Sequence, residues 1–290
     1  MIKINSKFFR GGSPKNLALI RQARKFLPLA TPSFSGLPAA TTASQKKFVL
    51  CLVYPISIMY LAEKFEKFLQ SINLDSHREK YRPIKLVEMD LPKEIQAISL
   101  LYKTYWDKKK FLDYEDFYKK YLNAYKTDIE NFRKKITMCK DCFYRGLPAR
   151  IYRTWASIIT QIHAGYVAEA VFGDETVAMS SALDRQGADF QVIYRGKTLN
   201  YQVKKKSLGR EVRQEKPKSK NPLPGEFVDI KYEVPSSDYF ENPKRKDGDY
   251  KLPYKRFMDN KELKRFPNGF VVFTPYTFEK KKAEIDQALK

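Results

Sequence analysis

Apolar and polar positions alternate most clearly between Asp184 and Ser207. Phe190–Tyr194 is apolar except for Gln191, and Leu199–Val203 alternates, so both runs read as strands. Arg195–Thr198 joins them, and Gly196 can take the positive torsion that a tight turn needs. Helical spacing dominates elsewhere. Pro148–Gly173 is the strongest helix: Pro148 suits a first turn, Gly173 suits a stop, and Ile151, Trp155, Ile158, Ile159, Ile162, Tyr166 and Ala170 share a broad face. His163 falls among them and reads as a buried, hydrogen-bonded histidine. Pro92–Trp106 repeats apolar residues at helical intervals. Tyr114, Phe117, Tyr118, Tyr121, Leu122 and Tyr125 form an aromatic stripe that reads first as core. Residues 45–73 read as helix in two parts around Pro55, and Lys280–Leu289 as a charged helix. Residues 84–89 read as a short strand or an irregular core segment, Phe227–Val234 as another strand, and Asn268–Phe273 is a candidate to extend the main sheet. Asp238–Tyr254 reads as irregular. The whole predicts an α/β (α+β) protein, with a mainly helical region over residues 1–145 and a sheet-bearing core over residues 146–290.

Composition narrows the partners. Lys plus Arg number 55 against 33 Asp plus Glu, a formal charge of +22, which calls for a polyanion. DNA, RNA and anionic membrane all qualify on charge. Membrane is disfavoured because the longest apolar run, Phe48–Leu61, is shorter than a spanning helix and contains Pro55. Three cysteines make no secreted disulfide framework. Cys139 and Cys142 form a CKDC pair that reads as two reduced thiols near a helix end, which points to the cytoplasm. No acidic side chain precedes Glu63, so the N-terminus, with a short basic helix over residues 16–27 and a Pro/Ser/Thr/Ala-rich stretch over 28–44, reads as an arm on DNA or a targeting segment.

The chemistry gathers on the two central strands. Asp189 opens the first. Gln202 and Lys204 lie two apart on the second and so face one way. A carboxylate with a second oxygen ligand can hold a hard cation such as magnesium. A neighbouring ammonium can orient water or offset phosphate charge. A run of cations follows, among them Lys205, Lys206, Arg210 and Arg213. Arg150 and Arg153, at the start of the long helix, are further phosphate candidates.

Gly187-Ala188-Asp189 followed by Gln202-Val203-Lys204 resembles the PD-(D/E)XK nuclease superfamily, with glutamine where that family usually has an acid. Glu169, in GYVAEAVFG, matches the family's helix glutamate, and Asp184, five residues before Asp189, is its rival. YRTWASIITQIHAGYVAEAVFG and LDRQGADFQVIY also look like type II restriction endonucleases. The resemblance implies a restriction-endonuclease-like core, a central mixed sheet flanked by helices. It implies magnesium-dependent hydrolysis of double-stranded DNA at a short sequence, with Asp189, Gln202 and Glu169 at the metal and Lys204 as a catalytic residue. It further implies 5′-phosphate and 3′-hydroxyl products, two active sites in a homodimer, and a cognate methyltransferase. Two alternatives stay open: a non-catalytic nucleic-acid binder on the same fold, and a structure-specific repair or RNA-processing nuclease.

Overall fold

The computed structural model describes residues 61–81, 84, 91–206 and 223–289. The readings made for residues 1–60, most of the 84–89 segment, and Arg210 and Arg213 lie outside these residues. For Lys206 only the backbone is described.

The described chain opens with helices α1 (residues 61–71) and α2 (Leu74–Tyr81). The stretch read as one helix from Pro92 to Trp106 is broken. A single 3-10 turn at Lys93–Ile95 is followed by α3 (Ile98–Leu101), which runs into a π-helical turn, Tyr102–Asp107. Helix α4 (Tyr114–Lys135) starts at Asp113, whose carboxylate accepts the Asp116 N–H at 2.8 Å. Its aromatic stripe is core: Tyr114, Phe117 and Tyr121 are fully buried.

Helix α5 (Lys140–Phe172) is the axis of the molecule. It begins eight residues before the expected start because Cys139 caps it, its Sγ accepting the Cys142 N–H at 3.1 Å. Pro148 therefore lies inside the helix, and Arg150 and Arg153 lie well past its first turns, so no helix-end anion site is formed there. Both thiols are exposed. Aromatic side chains wrap α5 and find partners for their polar ends. Trp155 Nε1 donates to the Tyr105 hydroxyl at 2.8 Å, and that hydroxyl donates to the Leu112 carbonyl at 2.5 Å. The Tyr114 hydroxyl donates to the Pro148 carbonyl at 2.5 Å, and Tyr166 donates to the Tyr105 carbonyl. Each such side chain contributes on the order of 2 kcal/mol by burial, and its hydroxyl avoids desolvation without a partner. His163 is fully buried, with Nε2 3.2 Å from Glu66 Oε1 on α1, and Glu66 Oε2 accepts from Lys264 at 2.7 Å. Burial alone would raise the Glu66 carboxyl, but the bonds from His163 and Lys264 outweigh it and hold it low.

After α5 come β1 (Val177–Ala178), the short helix α6 (Ser181–Arg185), β2 (Phe190–Tyr194), β3 (Lys197–Lys206) and β4 (Glu226–Glu233). They form one mixed sheet in the order β1-β2-β3-β4, antiparallel except for the parallel β3–β4 pair. The β2–β3 turn has positive φ at Arg195 (47°) and Gly196 (76°), which matches the twist of a two-residue hairpin. Phe190, Val192, Leu199 and Tyr201 turn to one face and are buried. There they meet Phe172 of α5 and Phe278 of α9 (Tyr276–Ala288). Between β4 and α9, residues expected to be irregular form α7 (Ser237–Glu241) and α8 (Leu252–Met258). Asn268–Phe273 does not extend the main sheet. β6 (Val271–Phe273) pairs with β5 (Leu263–Arg265) in a separate antiparallel hairpin. The 266–270 turn is short enough for β6 to find its partner locally, in the preceding strand. The result is the mixed α/β core, a sheet flanked by helices, that the sequence predicts. Among the described residues no helix is long and apolar enough to cross a membrane.

Candidate active site

Asp189 stands one step before the Phe190–Tyr201 pair, so it lies opposite Gln202. Gln202 is in turn the parallel partner of Asp229 on β4. Paired residues on neighbouring strands share a face, so Asp189, Gln202 and Asp229 form a row across three strands. Lys204 lies two residues further along the same face, opposite Lys231. This face is the polar one, away from α9.

Each side chain in the row is held. Asp189 is 7% exposed. Its Oδ2 accepts the Val203 N–H at 2.6 Å, and its Oδ1 accepts from Gln161 Nε2 of α5 at 2.9 Å. Each oxygen keeps a further lone pair for another ligand. Burial is the main cause that pushes the Asp189 carboxyl up to about 7. The negative charge of Asp184 adds to the rise, while the Val203 bond and the Lys204 charge oppose it. Lys204 Nζ donates to Asp229 Oδ2 at 2.9 Å, and Lys231 Nζ lies 3.9 Å from the same oxygen. Asp229 thus fixes the lysine that lies nearest Asp189.

The two rival acids part company. Glu169 is buried on α5, eight residues beyond Gln161 and so about 12 Å further along the helix. Its surroundings are Lys109, Asp174 and Glu175. Burial raises its carboxyl, Lys109 partly offsets this, and Asp174 adds to it. The Lys109 ammonium itself sits 3.9 Å over Trp106 and 4.7 Å over Tyr166. Asp184 is the acid brought to Asp189 instead. Ser180 caps α6 by accepting the Leu183 N–H at 3.2 Å, and the Gln186–Gly187 turn folds α6 back toward the start of β2. Among the described residues no three His, Cys, Asp or Glu side chains converge into a metal cluster. Two carboxylates and an amide oxygen suit magnesium, which takes one or two carboxylates and completes its shell with water and substrate phosphate.

Gln161 and Asp229 were not singled out from the sequence. Gln161 carries no signal there. Asp229 has one: it lies in the next strand-like run, but its parallel register with Gln202 is a tertiary pairing. Of the basic candidates, Arg153 and Lys205 are exposed and Arg150 is half-buried.

Residues 62–282 match the family model described as TaqI restriction endonuclease. The type II restriction enzyme TaqI of Thermus aquaticus is 33% identical over 218 residues, spanning 73% of this chain and 82% of that enzyme. The type II restriction enzyme TthHB8I of Thermus thermophilus is 32% identical over 226 residues, spanning 76% of this chain and 86% of that enzyme. No solved structure matches. A match over most of the described core, at about one residue in three, covers the strands and helices that carry the acidic row. The chain belongs to the TaqI restriction endonuclease family.

Proposed function

We propose that this protein is a magnesium-dependent type II restriction endonuclease that hydrolyses double-stranded DNA at a short specific sequence. The observation that carries the reading is the shared face of Asp189, Gln202 and Lys204, with Asp184 beside them. Asp189 and Asp184 would hold the cation, with Gln202 offering an amide oxygen. When bound, magnesium supplies positive charge at the phosphate and acidifies water near it. Gln161 and the Val203 N–H keep the Asp189 oxygens oriented, which limits reorganisation when charge develops. Lys204 is held close by Asp229 and leaves it for the incoming phosphate, where its ammonium steadies the attacking water and the charge at phosphorus. On this reading Asp184 takes the place first considered for Glu169.

Family likeness supports the duplex DNA substrate. The net charge of +22 supports attraction to it. The test is digestion of long unmodified DNA with magnesium, followed by sequencing of the fragment ends. Wild type should give discrete fragments with one sequence at every end. Asp189→Ala and Lys204→Ala should give none while still retarding DNA. Ragged ends, or full cutting by cleanly purified Asp189→Ala, would remove the reading.

A further inference from the structure

A second cationic site lies on the β5–β6 hairpin, away from the acidic row. Its turn, residues 266–270, is pinned to the end of α1. The Asn268 Nδ2 group donates to the carbonyls of Leu69 at 2.7 Å, Ile72 at 3.0 Å and Gln70 at 3.2 Å. Asn268 Oδ1 accepts the Phe270 N–H at 3.3 Å. Carbonyls at and just past the helix end are thereby used to fix a loop. The next residue, Gly269, has φ 86° and carries no Cβ. Around the place where a Cβ would stand, Arg78 Nη1 of α2 lies at 3.3 Å and Arg265 Nη2 of β5 at 3.5 Å. Two guanidinium groups from separate elements therefore converge on one small gap.

Like charges gather at a cost unless an anion lies between them. The protein provides little. Arg78 pairs with Asp75 at 3.1 Å, but that carboxylate is 85% exposed and weakly coupled in water. Arg265 makes no ion pair among the described residues. Its guanidinium instead lies 4.3 Å over the Phe240 ring, which sets its plane. Lys205, next to Lys204 on β3, adds a third cation. Although exposed, it is held below the ordinary lysine range by partial desolvation, and repulsion from Arg78 lowers it further. Lys205 is three residues along β3 from Gln202, about 10 Å, and by strand alternation leaves β3 on the opposite face, toward the strand end.

We infer that Arg78 and Arg265, gathered over Gly269 and backed by Lys205, bind a phosphate of the DNA backbone flanking the cleavage site. The inference rests on the nuclease reading. Guanidinium forks suit phosphate oxygens, and a pocket without a Cβ admits them closely. Contacts to phosphate position a duplex without reading its sequence.

The experiment measures binding of short duplex DNA in EDTA as a function of salt. It compares wild type, Arg78→Ala with Arg265→Ala, and Arg78→Lys with Arg265→Lys. Each phosphate contact contributes about 0.9 to the slope of log K against log salt. The alanine pair should flatten the slope by about 0.9 for one shared phosphate and by about 1.8 for two. It should weaken binding equally on every sequence, and the lysine pair should restore most of the slope. Thermal unfolding of each variant controls for folding, and Arg78→Ala alone, at a half-buried position, provides a second variant. An unchanged slope, or a loss confined to one sequence, would overturn the phosphate assignment. Either result would leave magnesium-dependent cutting and its loss in Asp189→Ala intact, so it is distinguishable from failure of the nuclease reading.

Discussion

Replacing Asp189 by Asn should make the protein more stable and inactive at once. The carboxyl is moved from 3.8 to about 7, mainly by burial. Between those values the folded protein holds a proton that the unfolded chain releases. Stability from this group is therefore complete below pH 3.8, falls as pH rises, and is fully lost above pH 7. At pH 8 the penalty is about 4 kcal/mol, and at pH 5 it is about 2 kcal/mol. Asn has the same shape and no charge. Its oxygen can accept the Val203 N–H. Gln161 can turn its amide to accept from the new NH₂ group, which points its own NH₂ at the Tyr102 hydroxyl, now 3.4 Å from Gln161 Oε1. No hydrogen bond need be lost.

A chain of this size gains about 2 °C in Tm per kcal/mol. Asp189→Asn should then melt about 8 °C above wild type at pH 8 in EDTA, and about 4 °C above it at pH 5. Magnesium should raise the melting temperature of wild type more than that of the variant, which keeps Asp184 but lacks the Asp189 carboxylate. Thermal unfolding followed by circular dichroism measures all four conditions. An Asn variant that melts no higher than wild type at pH 8, or by the same margin at both pH values, would refute the burial-driven proton uptake.

Three further outcomes follow from the geometry. Asp184→Asn should reduce magnesium-dependent cleavage by about 100-fold or more, while Glu169→Gln, about 12 Å along α5, should stay within about tenfold; steady-state cleavage of one duplex compares them. Asp229→Asn should loosen Lys204 and lower kcat by about tenfold, with DNA affinity in EDTA unchanged or slightly raised because one acid is gone. Tyr105→Phe should cost about 2–3 kcal/mol, seen as a drop of roughly 5 °C in Tm, because the buried Trp155 N–H loses its acceptor and the Leu112 carbonyl its donor.

Much of the site could be read before folding. The period-two runs around Arg195–Thr198 gave both strands, their turn, and the common face of Gln202 and Lys204, because alternation is fixed by strand geometry alone. Other features depend on how elements pack. Helix α5 was read as starting at Pro148, since proline is common in a first turn, whereas a cysteine cap at Cys139 started it earlier and the helix tolerated Pro148. Glu169 matched a motif in linear order, but 1.5 Å of rise per residue carries it away from the residue of α5 that meets Asp189. The short helix α6 brings Asp184 back instead. Asp229 enters by the parallel pairing of β3 with β4, between residues far apart in the chain, and no local pattern encodes such a pairing. Asn268–Phe273, a candidate for the main sheet, instead pairs with β5 just upstream, because strand pattern alone does not choose between partners.

The energetics of Asp189 bear on the order in which its proposed ligands arrive. A carboxyl that titrates near 7 is half protonated at neutral pH, so a cation must displace a proton to bind. The negative charge of Asp184 raises the Asp189 carboxyl further, against the opposing charge of Lys204. On the proposed reading magnesium would relieve both penalties, held by two carboxylates and an amide oxygen, short of a full octahedral shell. Water and a DNA phosphate would complete the shell, and the phosphate brings oxygens and charge together. Cation and duplex should therefore each raise the affinity for the other, and linkage requires the two effects to be equal. The surrounding cations, Lys204 and Lys231 on one face and Lys205 at the strand end, favour the phosphate over the free metal. On the proposed reading the site would take up its cation most tightly together with DNA, giving up the Asp189 proton as it does so.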